Sequence, residues 1–145
     1  MISLATYREP DLRDVVPMVE RNIEERYQPS IYDELSMNWP EGFVLCRDEG
    51  DLKGLIFALS TPEGYARIII FCVEPGHRNR GLGSGLLKEL ERRAKDRGFN
   101  VLRLEVRIGN YNAIEFYKKR GFTITNTLNG FYNDGGDAYN MVKFL

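Results

Sequence analysis

The segment Arg78-Asn79-Arg80-Gly81-Leu82-Gly83-Ser84-Gly85 has the residue types of an anion site. It joins the apolar run Ile68-Ile69-Ile70-Phe71-Cys72-Val73 to an amphipathic helix. A helix start presents unpaired N–H groups and the positive end of the macrodipole. Glycines there let a pyrophosphate approach the backbone, and two arginines add charge. No lysine stands where a Walker loop needs one, and the third glycine is one position off a dinucleotide fingerprint. The structural alternative is a tight turn without a ligand, at roughly 1 kcal/mol per interior helical glycine relative to alanine. A second set lies downstream. Arg103, Glu105 and Arg107 alternate with Leu102, Leu104, Val106 and Ile108, so one strand face carries a carboxylate between two guanidiniums. That face opens either to a cleft or to water. Asn110 and Tyr117, seven residues apart, share one face of a helix. Tyr117 is either a phenol available to chemistry or a core aromatic.

The scarce residues exclude other chemistry. There is one histidine, His77, and two cysteines, Cys46 and Cys72, among 145 residues. A zinc site needs about four clustered nitrogen or sulfur ligands, which this chain does not supply, so no metal is expected. His77 sits in a polar loop and reads as solvent-exposed, and Cys72 reads as a small core residue. Unpaired cysteines fit a reducing, cytoplasmic setting. Twenty basic and 21 acidic residues give a net charge of −1, which argues against nucleic acid as a partner. The apolar runs stay well below the ~18 residues of a membrane span. The N-terminus has neither the basic region nor the long apolar core of a signal peptide.

The length fits one domain spanning residues 1–145. Residues 2–7 read as a strand. Leu12, Val15, Val16, Val19 and Ile23 recur at helical spacing, with Pro17 expected in the first turn or at a kink. Residues 26–42 are irregular, with one short helix around 31–37. Residues 43–47 and 53–60 read as a hairpin, and 65–73 as the most apolar and therefore central strand. Residues 81–97 form the clearest helix, with Leu82, Leu86, Leu87, Leu90 and Ala94 as its stripe. Glu89/Arg93 and Glu91/Lys95 are expected to pair on its wet side. A strand at 101–108, a helix at 110–120 and strands at 122–128 and 138–145 complete a mixed α/β sheet.

Four features then carry a resemblance. Arg78, Gly81 and Gly83 match the Arg-x-x-Gly-x-Gly pyrophosphate motif of the GNAT superfamily of N-acetyltransferases. Leu104-Glu105-Val106-Arg107 with Asn110, Ala113-Ile114, Tyr117 and Gly121-Phe122 resembles its RimI-like members, which acetylate protein N-termini. Phe131-Tyr132-x-Asp134-Gly135-x-Asp137-Ala138-Tyr139-x-Met141 is similar to a C-terminal stretch of the archaeal and eukaryotic members. Residues 23–27 and 39–43 resemble their substrate-loop region.

The resemblance implies a GNAT fold, a mixed central sheet splayed between strands 4 and 5 and flanked by helices. It implies acetyl-CoA as co-substrate. Backbone groups of Phe71, Cys72 and Val73 would hold the pantetheine, the segment Asn79, Arg80, Gly81, Leu82, Gly83 and Ser84 with Arg78 the pyrophosphate, and Asn110 the pantetheine arm. Tyr117 would reach the sulfur and protonate the thiolate, and Glu105 would serve as general base through a water, with Glu25 as a second candidate. Glu25, Tyr27, Tyr132 and Tyr139 would wall the acceptor site. The implied partners are protein or peptide N-termini, ribosomal proteins among them, acetylated by a monomer or homodimer. Acetylation of a lysine or small amine, and a CoA-binding module without turnover, are the competing readings. Two positions depart from the family pattern. Arg67 stands where some relatives carry histidine, and Gly136 replaces a glutamate, which is expected to loosen the last loop.

Overall fold

The computed structural model describes residues 1–78 and 81–145. Its elements follow the expected order: β1 (Ile2–Thr6), α1 (Leu12–Asn22), α2 (Ser30–Ser36), β2 (Phe43–Asp48), β3 (Asp51–Ser60), β4 (Ala66–Val73), α3 (Leu82–Arg97), β5 (Val101–Arg107), α4 (Tyr111–Lys119), β6 (Thr123–Leu128) and β7 (Ala138–Phe144). Among the described residues, one sheet of order β1-β2-β3-β4-β5-β7-β6 contains every strand. Neighbours are antiparallel except β4 and β5, which run parallel and are in register only at Ala66↔Leu102 and Arg67↔Arg103. Beyond these pairs the two strands splay apart. No helix among the described residues is long and apolar enough to cross a membrane.

Each face of the sheet buries its own apolar cluster. Val44, Cys46 and Ile56 point to the side of α3 and α4, where Leu86, Leu87 and Leu90 are buried against them. The intervening residues Phe43, Leu45 and Leu55 point the other way, onto Val15, Met18 and Val19 of α1 and Tyr32 of α2. This is the period-two alternation of strands meeting helical stripes on both sides. Phe43 and Phe57 stack at 4.1 Å between ring centroids, while Trp39 meets Phe99 edge-on at 5.2 Å.

One irregularity in β4 matters for the site. Phe57 pairs with Ile70 but Ala58 pairs with Ile68, so Ile69 is an extra residue against β3. Such a bulge inverts the facing of everything after it. Ala66 and Ile68 belong to the α3-side cluster, whereas Ile70 and Cys72 belong to the α1-side cluster. Phe71 and Val73 are thereby turned toward α3 and α4.

Three expectations need correction. Pro17 lies inside α1, and its exposed side chain leaves Val15, Met18 and Val19 to bury the helix. Glu91 pairs with Lys143 of β7 at 3.0 Å rather than with Lys95, because its side of α3 meets the sheet. Ile108 falls beyond the end of β5 and is exposed, unlike Leu102, Leu104 and Val106.

Candidate active site

The splay creates the site. A cleft of about 1110 Å³ separates β4, from Arg67 to Phe71, from β5, between Leu104 and Arg107. From Ile68 onward β4 has no registered partner in β5, so its backbone edge on that side borders the cleft. An extended thioester arm could bond there like an added strand. Phe71 lines the cleft with its side chain. Cys72 and Val73 turn their side chains into the two cores and offer only backbone. The Val73 carbonyl accepts from Arg78 Nε at 3.0 Å, which ties the end of β4 to the turn that follows.

At one end the cleft gives way to a second cavity of about 400 Å³ at the start of α3, lined by Arg78, Gly81, Gly83 and Ser84. Gly81 caps the helix at φ +77°, a backbone conformation that favours glycine. A Cβ at Gly81 or Gly85 would meet nothing within 4 Å, and one at Gly83 would make only ordinary contacts with Phe116 and Phe71. Packing therefore does not demand these glycines. Their bare backbone leaves an open cradle at the positive end of a sixteen-residue helix, which fits the pyrophosphate of acetyl-CoA. Leu82 buries its side chain and contributes backbone alone. Asn79 and Arg80 lie outside the described residues.

The opposite wall of this cavity went unassigned in the sequence. Asn112, Phe116, Lys119 and Arg120 come from α4 and the residue after it. Spacings of four from Asn112 to Phe116 and from Phe116 to Arg120, and of three from Phe116 to Lys119, place them on one helix face. Arg120 donates to the Phe116 carbonyl at 3.0 Å and lies 3.7 Å over its ring. The basic run Lys118-Lys119-Arg120 was the available signal.

At the other end the charged face of β5 opens to the cleft. The Glu105 side chain is only 7% exposed. Arg67 donates to its Oε1 from Nε at 2.9 Å and lies 2.7 Å away at Nη2. Arg103 Nη2 lies 3.5 Å from Oε2. One carboxylate oxygen is thus occupied, and the other makes a longer contact. Glu25 borders the same space and pairs with Arg107 at 3.3 Å. Tyr27 and Tyr132 line it too, and burial raises both phenols above the ordinary range.

Tyr117 serves both as core and as cleft wall. It is 9% exposed, packs edge-on against Phe116 and Phe122, and still borders the cleft. Burial pushes its phenol well above the usual value. Asn110 lines the cleft and caps α4, its Oδ1 accepting from the Ala113 N–H at 3.3 Å. Tyr139 is not brought to this site. It pairs with Val106 across the β5–β7 ladder, so it shares the apolar face and packs on the α3-side core. His77 is half-buried in the turn Pro75–His77 rather than exposed, and it does not line the cleft.

Known proteins share this arrangement. The N-alpha-acetyltransferase of Saccharolobus solfataricus is 35% identical over 105 residues, covering 72% of this chain and 62% of that one. N-alpha-acetyltransferase 30 of Schizosaccharomyces pombe is 23% identical over 150 residues, 99% of each chain. Ard1 from Thermoplasma volcanium superposes with a TM-score of 0.95 at 30% identity, covering 99% of this chain and 97% of that one. Residues 9–122 match the acetyltransferase (GNAT) family as a whole. A splayed sheet, a glycine cradle at a helix start and relatives over its full length make this chain an acetyl-CoA-dependent acetyltransferase of the GNAT family.

Proposed function

We propose that the enzyme transfers the acetyl group to the N-terminal α-amine of protein or peptide chains. One observation carries this reading. Residues 24–27 and 131–134, on segments far apart in sequence, both line the acceptor end of the cleft. The relatives matching this chain across those segments are named N-alpha-acetyltransferases. Elementary chemistry agrees: an α-amine has a pKa of about 8 and a lysine about 10.4, so the α-amine is over a hundredfold easier to deprotonate.

The amine nitrogen attacks the thioester carbonyl carbon directly. A C–N bond forms, the C–S bond breaks, and an N–H on the open edge of β4 near Val73 stabilises the oxyanion. An α-ammonium loses two protons on its way to the amide. Glu105, through Oε2 and a water, carries one to solvent, and the other ends on the sulfur. Glu25 is the second candidate base at this end. Tyr117 holds the departing thiolate by donating a hydrogen bond. Because burial raises its pKa, full proton transfer to a thiolate of pKa ~8.5 is steeper than for a free phenol. Two free, buried cysteines support a cytoplasmic setting.

Thiol release from acetyl-CoA over a peptide panel varied at the first two residues, ribosomal-protein N-termini included, tests the proposal. Product mass should place the acetyl group on the α-amine. Acetylation confined to lysine overturns it.

A further inference from the structure

Arg107 ends β5 at the point where two irregular segments meet over the acceptor end of the cleft. Its Nη2 lies 3.3 Å from Glu25 and 3.6 Å from Glu24, both in the segment between α1 and α2. Its Nη1 lies 3.1 Å from Asp134, in the segment between β6 and β7. The guanidinium carbon stands 3.9 Å from the centroid of the Tyr132 ring, on that same segment. One side chain therefore joins segments more than 100 positions apart.

Gly136 leaves room for this arrangement. A Cβ there would fall 2.6 Å from Arg107 Nη1 and 3.0 Å from Asp134 Oδ1. Gly136 is absent from the residues of positive φ, so what it provides is room rather than backbone freedom. Its N–H also donates to Asp134 Oδ1 at 2.9 Å, aiming that carboxylate at the arginine. The exchange of glutamate for glycine, expected to loosen the loop, also leaves space for a side chain that reaches it.

We propose that Arg107 is a positioning residue that joins the two acceptor segments into one rim, and that Gly136 is the seat that admits it. This rests on reading the cleft as an acceptor site for peptide N-termini. Neither segment is held by the sheet ladder, so each must be ordered before a peptide can bind productively. A guanidinium shared between them meets part of that ordering in advance, which acts on acceptor affinity rather than on thioester chemistry.

Arg107→Gln removes the charge and the fork, whereas Gly136→Ala displaces the guanidinium without altering any charge. Steady-state kinetics with an N-terminal peptide, together with amide hydrogen exchange of residues 23–29 and 129–137, test the proposal. In both variants the acceptor KM should rise about tenfold, with kcat and the acetyl-CoA KM within about twofold. Exchange should accelerate in both segments together, and Arg107→Lys should restore only part of either effect. Loosening of one segment alone, or a fall in kcat at unchanged acceptor KM, overturns the pin. If the wild type acetylates no N-terminal peptide while both segments still loosen together, the pin stands and the acceptor assignment fails.

Discussion

The proposed function asks two things of Glu105 that pull against each other. It is a buried carboxylate that needs its arginines to be tolerable, and under the proposed function it is also the acceptor for a proton at the amine end. The division between its oxygens reconciles them, with Oε1 occupied by Arg67 and Oε2 facing a longer contact. Glu105→Gln keeps the shape and removes the basicity, so kcat should fall roughly 10²- to 10⁴-fold, the range for a lost general base. Acetyl-CoA affinity, read by calorimetry, should stay unchanged. Tyr117→Phe keeps the buried ring and deletes the donor. It should lower kcat by about tenfold or more, since the sulfur then leaves without a charge-assisted hydrogen bond. Near wild-type turnover in both variants would sink the assignment. Glu105 stood out because charge alternated with apolar residues along its strand, whereas the roles proposed for it and for Tyr117 came from the resemblance. Tyr139 was misplaced because motif membership does not say which face of a strand a residue occupies. Its pairing with Val106 does.

Helix α3 shows how an element built for binding is also built for stability. Its first turn gives up side chains to leave a cradle, and the rest of the helix compensates with a buried stripe and paired charges. Arg92 and Arg93 both reach Glu89, and their hydrogen bonds hold its carboxyl at about 2, against an ordinary value of 4.5. A depressed folded-state value means the stabilisation is complete above about 4.5 and is lost as pH falls toward about 2. The thermal midpoint should drop across that window. In Glu89→Gln the drop should be shallower, though not absent, because Glu74 and Asp134 are also held low. Circular dichroism melts at several pH values check this, and an unchanged slope in the variant would contradict it. Among the elements, helices and strands were readable from apolar period and from Gly98 and Gly121 as stops. The bulge at Ile69 was not. In a strand buried on both faces every residue is apolar, so a break in alternation leaves no trace in Ile68-Ile69-Ile70. The splay itself was reached by resemblance, since nothing in the composition of β4 or β5 says where their pairing ends. Pro17 lies beyond the first turn for a related reason. Burial of three neighbours outweighs one missing hydrogen bond, and only the packed structure shows that burial.

At the scale of the whole molecule, one sheet divides two cores, and the splayed strands β4 and β5 contribute residues to them. The two cysteines report on both sides. Cys46 lies in the α3-side cluster and Cys72 in the α1-side cluster, both as free buried thiols. Burial pushes the Cys72 thiol up to about 12 and raises that of Cys46. At pH 8 the Cys72 thiol is then about one part in 10⁴ thiolate, and both thiols are buried, so labelling waits on opening. Because both cores share the strands between them, opening should be cooperative and both cysteines should label at one common rate. Acetyl-CoA at about a hundred times its Kd should add about 2.7 kcal/mol and slow both labels about a hundredfold. Mass spectrometry of a maleimide time course resolves the two sites. Faster labelling at Cys72 than at Cys46 would show that the β4 side of the sheet opens independently. Protection by acetyl-CoA at only one cysteine would mean that binding at the splay steadies one core without the other, and cooperativity across the sheet would have to be given up.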